Sequence, residues 1–160
     1  MKSGTLWGLF DKLLNHKQPW IFVSHSNLRM NLCEYFVDLV RVEGCTPIVV
    51  ERLPNLDTTS PGQKVDYYMR RCNAGLVIAT RDCFTNGEWI PSQNVMCEIA
   101  LLQKVLHNRV VYLREKGVRF PSNISVPYIT FSQDSIPDAI IQVIANLRAL
   151  LSPEEIYATR

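Results

Sequence analysis

Beyond Pro19 the sequence alternates short apolar runs with longer segments in which apolar residues recur at helical spacing. This alternation is typical of βα units, which build a parallel sheet with helices on both faces. The apolar runs predict strands at Trp20–Ser24, Pro47–Val50, Ala74–Thr80, Val110–Leu113 and Tyr128–Phe131. Right-handed crossovers between such strands predict an α/β fold with a flavodoxin-like, doubly wound, five-stranded parallel sheet of order 2-1-3-4-5.

The chain is predicted to contain one domain, at residues 19–151 of its 160 residues. Residues 1–18 are expected to form an amphipathic extension, because Leu6, Phe10 and Leu13 fall on one helical face. At residues 152–160, Ser152-Pro153 followed by two glutamates resembles a helix start. We therefore expect residues 152–160 to be the start of a further helix, or a linker to another domain of a longer protein.

The charged and sulfur-containing residues exclude several classes of function. Seventeen Lys and Arg against 15 Asp and Glu give a net charge of +2 with no basic stripe, so no nucleic-acid partner is predicted. The five cysteines include no C-x-x-C pair, which predicts no metal site and favours reduced thiols in the cytoplasm. No apolar run approaches the roughly 18 residues of a membrane span, so no membrane partner is expected.

Ligands of a doubly wound sheet bind at the carboxyl ends of its strands. The first predicted strand ends in Ser24-His25-Ser26 without the glycines of a dinucleotide fingerprint or a P-loop. These three side chains are candidates to hydrogen-bond a ribose or a phosphate. The alternative is equally open: Ser24 and Ser26 could cap the following helix, and His25 could lie in a solvated loop.

The helix predicted to begin near Ser92 carries one misplaced charge. At about 100° per residue, Glu98 lies inside the apolar arc formed by Val95, Ile99 and their neighbours. It therefore points towards the sheet, where a carboxylate is costly unless it has a cationic partner or a chemical role. Both explanations stay open, and Arg81 or Arg114 would be the partner in the first.

These segments together resemble a TIR domain. The resemblance rests on residues 21–26 (IFVSHS), on Glu51–Asn55 (ERLPN) and on Q-N-V-x-x-E at residues 93–98, in their order along the predicted strands. The chain is most similar to the bacterial TIR-like nucleotide-binding domains that act as effectors in anti-phage systems. The resemblance covers about residues 19–151.

The resemblance implies an NAD⁺ glycohydrolase, in which NAD⁺ is the substrate and no cofactor is needed. Glu98 matches the catalytic glutamate of TIR enzymes. Many of those enzymes carry Trp four residues earlier, whereas this chain has Asn94, as in the bacterial subgroup. Phe84 and Trp89 are then candidates to stack on the nicotinamide. The expected substrate-binding residues are Ser24, His25, Ser26, Phe84, Trp89 and Asn94.

The resemblance also implies partners. The loop at residues 52–62, with no strong secondary-structure signal, matches the segment that gates the site in TIR domains and contacts neighbouring domains. Its expected assembly and gating residues are Arg52, Leu53, Pro54 and Asn55. The implied partners are other TIR domains, whose self-assembly activates the enzyme, and a fused or associated sensor that binds a nucleotide second messenger.

Two other functions compete with this one. The domain could be a non-catalytic TIR scaffold, in which case Glu98 should be tied to an arginine with no cleft beside it. It could also be similar to nucleoside deoxyribosyltransferases, which use a glutamate at a flavodoxin-like switch point to cleave an N-glycosidic bond.

Overall fold

The computed structural model describes residues 18–55, 60–120 and 125–152. The strands in these ranges are β1 (Trp20–His25), β2 (Thr46–Ile48), β3 (Ala74–Ala79), β4 (Cys83–Thr85), β5 (Glu88–Ile90), β6 (Val110–Glu115) and β7 (Ile129–Phe131). Five of them form an all-parallel sheet in the order β2-β1-β3-β6-β7. The predicted α/β fold and strand order are therefore confirmed.

Helices cover both faces of the sheet. They are α1 (Met30–Val42), α2 (Pro61–Met69), α3 (Gln93–Val105) and α4 (Ile136–Leu150). Because side chains alternate along a strand, β1 serves two cores. Ile21 and Val23 pack with α1 and α4, whereas Trp20 and Phe22 pack with α2 and α3. We call the second side the α2/α3 face.

The register between β1 and β3 is anchored at their amino ends. The Trp20 amide donates to Oδ1 of Asn73 over 2.9 Å, and the Asn73 amide donates to the Trp20 carbonyl over 2.8 Å. Further along, Ser24 lies opposite Val77 and His25 opposite Ile78. The strand alternation then directs Ser24 to the α2/α3 face and His25 to the opposite face.

A hairpin between β3 and α3 replaces what was predicted as a loop. Strands β4 and β5 pair antiparallel around Asn86 and Gly87, whose φ angles are 51° and 79°. Two central residues with positive φ are typical of a type I′ hairpin turn, for which Asn-Gly is the preferred sequence. Helical and strand periodicity could not reveal strands of only three residues each.

The predicted loop at residues 52–62 is too long at both ends, where the structure has a turn and the start of a helix. A short 3-10 turn covers Val50–Arg52, and α2 already begins at Pro61. The Ser60 hydroxyl accepts from the Gln63 amide, and the Gln63 side chain accepts from the Ser60 amide. This reciprocal capping box, followed by proline in the first turn, stabilises the helix start.

Both predicted flanking segments fall almost entirely outside the described residues, which begin at 18 and end at 152. The predicted extension at 1–18 and the predicted helix or linker at 152–160 stay predictions. Across the described ranges, every helix is too short or too polar to cross a lipid bilayer.

Candidate functional site

A cleft of about 530 Å³ opens at the carboxyl edge of the sheet on the α2/α3 face. Its walls come from α2, from α3 and from the segment that follows β2. The polar side chains that line it are Glu51, Asn55, Lys64, Asn94, Cys97 and Glu98. The volume falls within the range of about 300–1,000 Å³ that is usual for small-molecule and cofactor sites.

Glu98 reaches the cleft because of its position on α3. Val95, Ile99 and Leu102 anchor the inner face of this helix in the core, and Glu98 lies on the same side. Its carboxylate meets the fully buried Ser24 at the end of β1. Ser24 Oγ donates a hydrogen bond to Glu98 Oε2 over 2.5 Å. The inward orientation that periodicity predicted for Glu98 is thus the orientation observed.

The surroundings of Glu98 disfavour its charged form. Burial raises the pKa of the Glu98 carboxyl from 4.5 to about 7, and the negative charge of nearby Glu51 adds to this rise. The hydrogen bond from Ser24 acts in the other direction, because it stabilises the carboxylate. Near neutral pH the Glu98 carboxyl is therefore only partly ionised.

The two arginines considered as partners of Glu98 are engaged elsewhere. Arg81 pairs with Glu115, a buried carboxylate that also binds Arg29. The Arg114 guanidinium lies 3.6 Å from the centre of the Tyr128 ring. Within residues 18–55, 60–120 and 125–152, Glu98 forms no ion pair. An uncompensated carboxylate beside an open cleft is a common property of functional sites.

The three polar residues at the end of β1 do not act as a group. Ser24 contacts Glu98, but His25 lies on the opposite face of the sheet and is 5% exposed. Neither ring nitrogen of His25 has a hydrogen-bond partner in the described parts of the chain. The Ser26 hydroxyl accepts from the Leu28 amide and caps a short 3-10 turn. Ser26 therefore has the capping position that one of the two interpretations predicted.

The aromatic candidates lie outside the cleft. Phe84 and Trp89 are cross-strand neighbours on the β4–β5 hairpin, with ring centroids 5.1 Å apart. Neither ring lines the cleft, and Phe84 is 61% exposed. Asn94, in contrast, is in the cleft wall, one helical turn before Glu98.

The four predicted gating residues also differ in whether they line the cleft. Asn55 lines the cleft, and Leu53 packs against the core of the α2/α3 face. Pro54 is exposed, and its carbonyl accepts a hydrogen bond from the Tyr68 hydroxyl over 3.4 Å. Arg52 forms an ion pair with Glu34 of α1.

Lys64 lines the cleft but was not among the residues predicted from the sequence. It lies in the first half of α2, and its ammonium donates to the Leu53 carbonyl over 2.7 Å and to Asn55 Oδ1 over 3.1 Å. It lines the cleft together with Glu51 and Cys97, which were also missed. The signal available was the Ser-Pro-Gly-Gln sequence at residues 60–63, a capping box that places a helix, and hence Lys64, beside the carboxyl edge.

The cleft thus contains the Glu98 carboxylate of α3, which accepts a hydrogen bond from the Ser24 hydroxyl of β1. It also contains the Lys64 ammonium of α2. A family model described as "CAP12/Pycsar effector protein, TIR domain" matches residues 20–133, more than two thirds of the chain. No curated protein matches the chain. The match includes β1, the segment after β2 and the whole of α3, which are the elements that build the cleft. The chain belongs to the TIR-domain family of the CAP12/Pycsar effector proteins.

Proposed function

We propose that this domain is an NAD⁺ glycohydrolase that acts as the effector of a defence system, with Glu98 as its catalytic residue. One observation carries the proposal. Glu98 is a carboxylate without an ion-pair partner in the described residues, held by Ser24 at the edge of an open cleft. Membership of the effector TIR family supports the same activity.

A single carboxylate suits this reaction. Glycosidases usually need a second acid, because their leaving oxygen must be protonated. In NAD⁺ the bond between ribose C1′ and the nicotinamide ring nitrogen breaks, its electron pair stays on that nitrogen, and the cationic ring leaves neutral. Positive charge then develops on the ribosyl group, and the Glu98 carboxylate stabilises it in the transition state. Water adds to C1′ and loses its proton, which gives ADP-ribose.

The raised pKa of Glu98 fits a group that must be charged only when substrate is bound. In the free protein the carboxyl has a pKa of about 7 because it is buried. A cationic nicotinamide beside it would favour the carboxylate and lower that pKa. Substrate binding would therefore complete the ionisation that catalysis requires.

The cleft lining supports activation by self-assembly with other TIR domains. Among the residues described, no aromatic side chain lines the cleft, and Asn94 stands where many TIR enzymes place tryptophan. A flat nicotinamide ring would thus have no stacking surface within one described domain. We propose that a neighbouring domain covers it, and that a sensor for a nucleotide second messenger triggers this assembly in the cytoplasm.

The test is release of nicotinamide from NAD⁺ by the full chain at high concentration or fused to an oligomerising partner. We expect turnover by the wild-type protein and at least a 100-fold loss in Glu98→Gln. Parallel incubations with deoxynucleosides test the deoxyribosyltransferase alternative, which predicts base release from those compounds instead. Folded, assembled protein that cleaves neither compound would indicate a scaffold.

A further inference from the structure

Lys64 is the one basic side chain that lines the cleft, as far as the described residues extend. Two carboxylates, Glu51 and Glu98, line the same cleft. A ligand that places a cation near Glu98 and carries negative charge elsewhere would need a positive group in the wall, and Lys64 is the group available there.

The contacts of Lys64 leave it free to change partner. Its ammonium donates to two uncharged oxygens, the Leu53 carbonyl and the Asn55 side-chain amide. It forms no ion pair within the described parts of the chain. Both bonds already have a charged donor, but an anionic oxygen adds a charge–charge attraction that a neutral carbonyl or amide oxygen does not provide. An anion in the cleft would therefore compete well for Lys64.

We propose that Lys64 recognises the pyrophosphate of the dinucleotide, exchanging its contacts with Leu53 and Asn55 for phosphate oxygens. This inference rests on the proposed function, because it assigns a second part of the same substrate. NAD⁺ carries its positive charge on the nicotinamide and its negative charge on the pyrophosphate. Glu98 and Lys64, on different helices of the cleft, match these charges.

The exchange also links substrate binding to the segment after β2. In the structure the Lys64 ammonium joins this segment to α2 through both Leu53 and Asn55. When Lys64 turns to phosphate, both of those bonds are lost. The segment is then held less tightly, by the Tyr68–Pro54 hydrogen bond and the Arg52–Glu34 ion pair that remain.

Calorimetric binding of ADP-ribose to the assembled full chain tests the assignment, because this product keeps the pyrophosphate and requires no turnover. We expect Lys64→Gln to weaken ADP-ribose binding about 10-fold and Lys64→Arg to restore most of the affinity. Lys104→Gln is the matched control, since it removes an exposed lysine of α3 that does not line the cleft. It should bind as the wild type does.

A substrate comparison separates recognition of the pyrophosphate from a structural role. Lys64→Gln should raise KM about 10-fold for NAD⁺ with kcat nearly unchanged, and should leave kcat/KM for nicotinamide riboside, which lacks phosphate, within about 2-fold of the wild type. Equal losses for both substrates, or unchanged ADP-ribose affinity in Lys64→Gln, would overturn the inference.

The failure of the proposed function would look different. If wild-type protein binds ADP-ribose through Lys64 but cleaves no NAD⁺, the glycohydrolase proposal fails and the pyrophosphate site stands. If NAD⁺ is cleaved equally well by the wild type and Lys64→Gln, the glycohydrolase proposal stands and the Lys64 assignment is wrong.

Discussion

Ser24 donates a hydrogen bond to Glu98 across 2.5 Å, joining the carboxyl end of β1 to the second turn of α3. The two residues are 74 positions apart in the sequence. Ser24 is fully buried whereas Glu98 is half-buried and lines the cleft, so this bond lies at the boundary between the core and the cleft. The hydroxyl stabilises the charged form of the one carboxylate to which we assign the chemistry, and it fixes where that carboxylate points.

Replacing Ser24 with alanine should make the activity more sensitive to acid. Without the hydroxyl, the hydrogen bond that lowers the pKa of Glu98 is gone while burial still raises it. The pKa of Glu98 therefore rises further above 7. NAD⁺ cleavage by Ser24→Ala should fall about 10-fold at pH 6.5 and much less at pH 8.5. Nicotinamide release measured at both pH values checks this, and an equal loss at both would contradict it.

The pH profile of the wild-type protein should rise with pH. In the proposed mechanism the Glu98 carboxylate is the active form, so kcat/KM should increase through the pKa of about 7 and level off above pH 8. For kcat the midpoint should lie at a lower pH, because bound cationic nicotinamide lowers the pKa of Glu98. Steady-state kinetics between pH 5.5 and about 9 provide both profiles. A kcat/KM that falls across this range would argue against a carboxylate.

Glu98 should reduce the stability of the protein above neutral pH. Its pKa is about 7 in the folded protein and 4.5 as the ordinary value, so folding stability is lost as the pH rises from about 4.5 to 7. Glu98→Gln has no charge to bury. We expect this variant to be more stable than the wild type by about 2 kcal/mol at pH 8, after allowance for partial solvation of the carboxylate.

Urea unfolding at pH 8 and at pH 4.5 measures this effect. At the lower pH the advantage of Glu98→Gln should shrink markedly, because the wild-type carboxyl is then largely protonated in the folded state. Equal stability of the two proteins at pH 8 would show that Glu98 is solvated or paired.

Cys97 offers a chemical probe of the cleft. Cys97 and Cys83 are exposed, whereas the other three cysteines are buried, and only Cys97 lines the cleft. In the Glu98→Gln background, which prevents turnover, NAD⁺ at ten times its Kd should slow maleimide labelling of Cys97 about 10-fold. Cys83, on the hairpin, is the internal control and should react at an unchanged rate. Mass spectrometry of the labelled peptides distinguishes the two sites.

Glu115 should be the main electrostatic anchor of the carboxyl edge. It is 1% exposed, and its carboxylate accepts from the Arg81 amide and from the guanidinium groups of Arg29 and Arg81. The two arginine side chains are partly exposed and can be solvated, so Glu115→Ala, which removes three hydrogen bonds, should cost about 2 kcal/mol in the free energy of unfolding. Arg148→Ala, which breaks a more exposed pair with Glu43, should cost under about 1 kcal/mol.

Much of the fold could be predicted because its strands and helices show clear patterns of apolar residues over short stretches of sequence. Buried parallel strands such as β3 are almost entirely apolar, and α3 carries its core residues at helical spacing. The orientation of Glu98 follows from that spacing alone. The β4–β5 hairpin was not predicted, because its three-residue strands are too short to show an alternating pattern. Asn86-Gly87 is nevertheless a strong signal for a hairpin turn.

The site could be predicted less completely because it depends on tertiary contacts. Ser24 and His25 are adjacent in the sequence, and only strand pairing decides which of them faces α3. The engagement of Arg81 with Glu115 is likewise invisible from the sequence, because it requires the ends of β3 and β6 to be neighbours. Lys64 was missed because it lies just beyond the predicted loop at residues 52–62, on a helix whose position beside the cleft depends on tertiary packing.

The two hydrogen bonds between Trp20 and Asn73 affect the cleft, although they lie at the opposite end of β1. Ser24 is four residues further along β1, about 13 Å from this anchor at the usual strand rise. A slip of one residue would turn Ser24 away from α3 and leave Glu98 without its hydrogen-bond donor. The contacts between Trp20 and Asn73 at the amino end of β1 thus help to fix the register that gives Glu98 its hydroxyl partner at the other end.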